Sequence, residues 1–257
     1  KIAMIQGIIN EFGGMKSIIG SSRPKTESIM YLVRAIPFFI FQQDKIKFLG
    51  EDFYYTDKNT PLLLQWYPKE IEAIIARAGR ISTCLDIGAN IGQFAYTLKK
   101  YFPEIEVVSI EPQKEAIKVM EKNMQCKVIE ACVGNGKYKT LYVEEGKNDR
   151  SSPVAGVNRG ANKEIKVDAI ELTKNTCKKL GIKTEYDLIK VDVEGGEKEV
   201  LECIKELEWK FLQVESTKEQ IKDIEKLIKK QWGNSQLIYK NNVTSDSGVI
   251  NYLFKRK

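Results

Sequence analysis

From residue 81 to residue 231 the chain repeats one unit, a short apolar run that reads as a strand followed by a stretch with helical spacing. "ISTCLDI" (81–87) precedes helical 92–101, and "EVVSIE" (106–111) precedes helical 113–124. "YDLIKVD" (186–192) precedes helical 197–207, and "KFLQVES" (210–216) precedes helical 217–231. Such alternation predicts an α/β fold, a mostly parallel sheet with helices on both faces and right-handed crossovers. The apolar runs "VVSI" and "LIKV" suit strands buried on both faces. "CKVIEACV" (126–133) reads as one further strand. Residues 134–164 then interrupt the pattern with one strand-like run, "YKTLYVEE", and a loop rich in Gly, Ser and Asn. "IKVDAI" and a helix near 171–180 follow, and "SQLIYKN" with "GVINYLFK" close the chain as a hairpin.

The N-terminal part departs from this rhythm. "IAMIQGIINEF" reads as a short helix, "SSRPKTES" (21–28) as a turn or linker, and 46–66 as a hairpin. Ile71, Ile74, Ile75 and Ala78 have helical spacing, with Gly79 as a stop. Two parts are therefore expected: an extension over 1–68, serving as a substrate lid or an oligomer contact, and a main domain over 69–257. The loop 145–164 is long enough for a second lid.

Composition narrows the classes. With 41 basic against 35 acidic residues the net charge is +6, which permits anionic partners without arguing for them. There is no histidine, and the five cysteines (84, 126, 132, 177 and 203) show no C-x-x-C spacing, so a Cys/His zinc site is not expected. They read as small buried residues in a reducing cytoplasm. "MYLVRAIPFFIF" (30–41) is too short for a membrane span and is broken by Pro37, so core packing is its expected role. No secretory pattern opens the sequence, and a cytoplasmic location is expected.

The chemistry gathers at strand ends. In "CLDIGANIGQFAYTL" (84–98) an apolar strand ends in Asp86, and a loop with Gly88, Asn90 and Gly92 runs into a helix. Glycines there let the backbone approach a ligand, and a helix start offers free N–H groups. The nicotinamide fingerprint is absent, because its three glycine positions hold Gly88, Asn90 and Gln93. A nucleotide-like ligand and a plain tight turn both remain open. Asn90 tolerates a positive φ better than most residues. The second strand ends in Glu111, where a carboxylate can accept both hydroxyls of a ribose.

"DIGANIGQFA", "SIEPQKEA", "DLIKVDVEGGEKEVL" and "QVES", in that order, resemble the FkbM family of S-adenosylmethionine-dependent methyltransferases. The resemblance implies a class I, Rossmann-like methyltransferase with a seven-stranded sheet in order 3-2-1-4-5-7-6 and strand 7 antiparallel. It implies O-methylation of a hydroxyl on a sugar, glycan or other small natural product. Carried over, Asp86, Gly88, Asn90 and Gly92 would surround the methionine part of the cofactor, and Glu111 would hold its ribose. Pro112 and Gln113 would border the adenine, with Ala131 and Cys132 near it. The acidic adenine partner that often follows the third strand in related enzymes is missing from "EACVGNGK".

Methyl transfer to an alcohol needs alignment and a proton acceptor, and histidine cannot serve here. Asp192, ending the fourth strand, and Glu194, on the same face if the chain stays extended, are the expected catalytic residues. Glu215 is a weaker candidate. Glu197 reads equally as helix-start electrostatics. Mg²⁺ on these carboxylates is conceivable but not favoured over their attraction for a cationic sulfonium. Lys190 reads as an ion-pair partner of a neighbouring carboxylate, and Tyr54, Tyr55 and Trp66 as core before acceptor-stacking groups. A nucleic-acid methyltransferase on the same fold is not favoured, since no Asn/Asp-Pro-Pro-aromatic motif or Pro-Cys pair occurs. A non-catalytic cofactor-binding scaffold is the remaining alternative. The expected partner is a small-molecule or glycan acceptor, with a homo-oligomer allowed.

Overall fold

The computed structural model describes residues 44–55, 60, 64, 66–143, 151–152, 162–242 and 249–256. The expected N-terminal helix, the linker 21–28, the apolar run 30–41 and most of the loop 145–164 lie outside the described residues. Among the described residues no helix is long and apolar enough to cross a membrane.

Strands β1 (Lys45–Phe48) and β2 (Glu51–Tyr54) form an antiparallel hairpin, followed by helix α1 (Trp66–Ala78). The main body then runs β3 (Thr83–Ile87), α2 (Gln93–Tyr101), β4 (Glu106–Ile110), α3 (Lys114–Asn123) and β5 (Lys127–Ile129). β6 (Cys132–Val133), β7 (Tyr138–Val143), β8 (Ser151–Ser152) and β9 (Lys163–Ile170) come next. α4 (Lys174–Leu180), β10 (Glu185–Val191), α5 (Glu197–Cys203), β11 (Glu208–Thr217), α6 (Ile221–Trp232), β12 (Ser235–Asn242) and β13 (Val249–Arg256) complete the chain.

The seven-stranded sheet has the order β5-β4-β3-β10-β11-β13-β12. Counted within the sheet, that is 3-2-1-4-5-7-6, and β13 runs antiparallel to β11 and β12. This is the class I methyltransferase sheet that the sequence resemblance implied. The expected single strand over 126–133 is instead two. β5 pairs with β4, the chain turns at Glu130–Ala131, and β6 pairs with β9 in a separate sheet of order β6-β9-β7-β8. The apolar run stayed continuous in sequence because both pieces are covered, but they belong to different sheets.

Alternation explains how the sheet is covered. Cys84, Val107, Leu188 and Phe211 point to one face and pack with Ile71 and Ile74 of α1 and Phe94, Ala95 and Leu98 of α2. Their neighbours Leu85, Val108, Ile189 and Leu212 point to the other face and meet Val200 and Leu201 of α5 and Ile224 and Ile228 of α6. Each fully buried aliphatic side chain contributes about 1.5–3 kcal/mol. The hairpin is not a loose appendage. Phe53 stacks edge-on against Tyr96 at 5.1 Å, and Asn123 bonds the main chain of Tyr54 at 2.6 and 2.9 Å. Tyr55 is buried in that same small core, as expected for it.

One row of the sheet breaks the apolar rule. Ser109, Asp86, Lys190 and Gln213 are register neighbours across β4, β3, β10 and β11. All four are buried. They lie one pleat beyond Val107, Cys84, Leu188 and Phe211, on the face that α1 covers.

Candidate active site

A cavity opens over the carboxyl ends of β3, β4 and β10, the place where open α/β sheets bind ligands. At its first wall the chain leaves β3 through Gly88, whose φ is +80°. A Cβ there would lie 1.8 Å from the Asp192 carbonyl oxygen, so only glycine lets this loop sit against the end of β10. The Gly88 and Ala89 N–H groups donate to the Ile110 carbonyl at 3.0 and 3.2 Å, tying the loop to β4. Asn90 adopts φ +51°, as its residue type allowed, and its Oδ1 accepts the Ile91 N–H at 2.7 Å.

Glu111 is the second wall. Only 4% of it is exposed, yet both its oxygens have donors: Asn90 N–H at 2.8 Å and Gln113 N–H at 2.9 Å. Burial pushes its pKa up to about 7, against the pull of those two N–H groups. Pro112 and Gln113 border the same side. Ile110, Ala131, Val133 and Val200 give an apolar slot beside them, and Cys132 lines it too. Burial raises the Cys132 thiol to about 11. The small sheet closes this end through Lys139 and Leu141 of β7. Lys139 pairs with Glu199, which also accepts the Asn135 N–H at 2.9 Å.

The opposite end is polar. Lys190 and Asp192 line it, with the ammonium 2.8 Å from Asp192 Oδ2 and 3.9 Å from Asp86 Oδ1. Burial alone would lower the lysine's pKa, but Asp192, Asp86, Tyr67 and Glu70 override it and hold the ammonium charged. The ion-pair role expected for Lys190 is what the geometry shows. Glu194, Glu215 and Asn251 face the same space, as do Trp66, Tyr67 and Glu70 of α1. Glu70 bonds Gln213 Nε2, and burial raises its carboxyl to about 7. Glu215 is pushed well above the usual carboxylate range, first by burial and then by Asp192. Asn251 Oδ1 is buried without a hydrogen-bond partner among the described residues.

The expected site residues therefore separate. Gly88, Asn90, Glu111, Pro112, Gln113, Ala131, Cys132, Asp192 and Glu194 all line one cavity. Asp86 and Gly92, expected around the methionine part of a cofactor, do not line it. Asp86 is fully buried beneath Lys190, with its carboxyl raised to about 6 by burial. Gly92 instead lets α2 approach α3, since a Cβ there would meet Met120 Cγ at 2.7 Å. For Glu194 the expected extended backbone is corrected. Its φ of +52° turns the chain, so it does not share an extended face with Asp192. Glu197 is buried and accepts the Gly195 N–H at 2.8 Å, a turn-bracing role. Trp66 lines the cavity rather than only the core.

Sequence reasoning passed over Glu70, Tyr67, Lys139, Glu199 and Asn251. Glu70 had a signal: it shares the buried face of α1 with Ile71 and Ile74, where a carboxylate is out of place. Gln213 had a similar one inside apolar "FLQVES". Lys139 and Asn251 had none, because only the fold brings β7 and β13 to the cavity. Among the described residues, no group of three or more Cys, Asp or Glu side chains is arranged to hold a metal ion.

The comparisons with known proteins concern this same region. "Methyltransferase 1" of Beauveria bassiana (strain ARSEF 2860) is 25% identical over 155 residues, covering 51% of this chain and 61% of that relative. The chain thus spans about three-fifths of that protein's length. Among solved structures, M. jannaschii TYW2 in complex with AdoMet is similar at TM-score 0.46 and 16% identity, over 83% of this chain and 86% of that one. Precorrin-6y C5,15-methyltransferase from Geobacter metallireducens GS-15 is similar at TM-score 0.43 and 8% identity, over 74% of this chain and 88% of that one. The methyltransferase FkbM domain model matches residues 86–235, from the end of β3 to the start of β12 and more than half of the sequence. The chain belongs to the FkbM methyltransferase family.

Proposed function

We propose that the protein transfers a methyl group from S-adenosylmethionine to a hydroxyl of a sugar, glycan or other small natural product. The observation that carries this reading is the pairing of Gly88 with Glu111 at adjacent strand ends. The residues present fit the cofactor. Gly88 lets the loop pack against the end of β10, which brings its backbone to the cavity wall. Glu111 is a carboxylate fixed by two main-chain donors, with lone pairs left for a diol. The apolar slot of Ile110, Ala131, Val133 and Val200 suits a flat base. When bound, the cofactor supplies an activated methyl group on a cationic sulfur.

The chain's own residues would do the rest. Glu111 would hold the ribose hydroxyls, and the Gly88–Asn90 loop would border the methionine end. Pro112, Gln113, Ala131 and Cys132 would flank the base. Asp192, fixed by Lys190, and Glu194 would face the acceptor and accept its hydrogen bonds. Trp66 and Tyr67 offer aromatic surface for a sugar ring. Four carboxyl groups, Glu70, Asp192, Glu194 and Glu215, line that end, which supports a neutral donor-rich acceptor over a phosphate-bearing one.

The test is thermal unfolding with S-adenosylhomocysteine. At about 100 times its Kd the ligand should add about 2.7 kcal/mol of stability and raise Tm. An unchanged Tm at millimolar ligand would count against the reading.

A further inference from the structure

Residues outside the family match complete the acceptor end of the cavity, and the chief one is Glu70. It sits on α1, before residue 86, where the matched region starts. Its carboxyl lines the cavity and is otherwise buried. One oxygen is held by the Gln213 amide, which stands beside Lys190 in the buried polar row. A carboxyl held through one oxygen has its other oxygen for a ligand.

The other carboxylates of the cavity are differently engaged. Both Glu111 oxygens bond main-chain N–H groups. Asp192 is bound to the Lys190 ammonium at 2.8 Å. That ammonium also acts on Glu70, and it is shared with Asp192 and Asp86. The groups that act on Glu70 are thus Lys190 and Asp192 of β10 and its end, Asp86 of β3, and Gln213 of β11. Tyr67 and Glu215 line the same end. Among the described residues one ammonium, Lys190, faces four carboxyls, Glu70, Asp86, Asp192 and Glu215, a balance that favours protonation there until a cation binds. Asn251 Oδ1, buried and without a hydrogen-bond partner among the described residues, lines the same end.

We propose that Glu70 is a further catalytic residue, the carboxylate that takes the proton lost by the methyl acceptor. This rests on the methyl-transfer reading. In the step, an acceptor O–H bond breaks and its proton forms an O–H bond on Glu70. The acceptor oxygen forms the new C–O bond to the methyl, and the methyl's bond to sulfur breaks with its electron pair left on sulfur. Glu70 must be ionised beforehand, and binding of a cationic sulfonium favours that state.

The proposal predicts proton release that depends on the sulfur's charge. Isothermal titration calorimetry at pH 7, in phosphate and in Tris, gives the protons exchanged on binding. The wild-type chain should release up to about half a proton with cationic S-adenosylmethionine, and clearly less with neutral S-adenosylhomocysteine. E70Q should abolish the difference while S-adenosylhomocysteine still binds within about threefold of wild type. Equal proton numbers for the two ligands in the wild type would overturn the proposal without any variant. So would an undiminished difference in E70Q, or a difference lost only in E215Q. If neither ligand binds the wild type, it is the methyl-transfer reading itself that fails.

Discussion

Glu111 and Glu70 stand at opposite ends of one cavity, and both are raised to about 7 by burial, yet they are held in different ways. Glu111 is fixed by two main-chain N–H groups, from Asn90 and Gln113. Those donors belong to the folded backbone and cannot turn away. Glu70 is held by one side-chain amide and crowded by Asp86 and Asp192, with a lysine already committed elsewhere. Main-chain donors make a fixed hydrogen-bond acceptor, suited to hydroxyls that stay put. A crowded carboxyl on a helix makes a group whose protonation responds to what enters.

The comparison breaks most completely at Gly88. G88V would drive a side chain into the Asp192 carbonyl and push the Gly88–Asn90 loop off the end of β10. Binding of S-adenosylhomocysteine, followed by its Tm shift, should vanish. A retained shift would mean that the ligand does not use this loop.

Lys190 comes next, because it restrains the polar end alone. K190M leaves the fully buried Asp86 and the half-buried Asp192 without their cation, which should cost about 3 kcal/mol in urea denaturation at pH 7. The loss should shrink at pH 5, where Asp86, raised to about 6, is protonated. An equal loss at both pH values would deny the charge imbalance.

A smaller effect sharpens the comparison through pH. Glu70 and Glu111 bind protons more tightly folded than unfolded, so the folded state holds more protons between pH 4.5 and about 7. Stability should therefore be highest below 4.5 on this account and fall as pH rises through 7, by up to about 3 kcal/mol per group. E70Q and E111Q should each remove part of that fall. A stability that rises over this window in both variants and wild type alike would contradict it. The smallest effect belongs to a residue far from both ends. Thr173 caps α4 by accepting the Thr176 N–H at 3.1 Å, and T173A should cost about 1 kcal/mol without altering ligand affinity.

How much of this was legible in the sequence depends on where each residue takes its meaning. The parallel sheet was legible because apolar runs such as "LIKV" recur at crossover distance. The Gly88 loop and Glu111 were legible because strand-end positions declare themselves locally. The break between β5 and β6 was not, since covered pieces of two sheets look alike in one apolar run. The burial of Asp86 was not legible, because a strand-end aspartate gives no sign that Lys190 of the neighbouring strand stands beside it. The turn at Glu194 was masked by a residue type that seldom takes positive φ. Glu70 needed only its helical phase, read against Ile71 and Ile74.

The most direct test of the central claim is the affinity of S-adenosylhomocysteine for wild type, E111Q and E111A, measured by calorimetry at pH 8, where Glu111 is largely ionised. Two hydroxyls bonded to a carboxylate, at about 1.5–3 kcal/mol each, predict a loss of at least tenfold in E111A and an intermediate loss in E111Q. Equal affinity in all three proteins, or no binding to the wild type, would contradict the account.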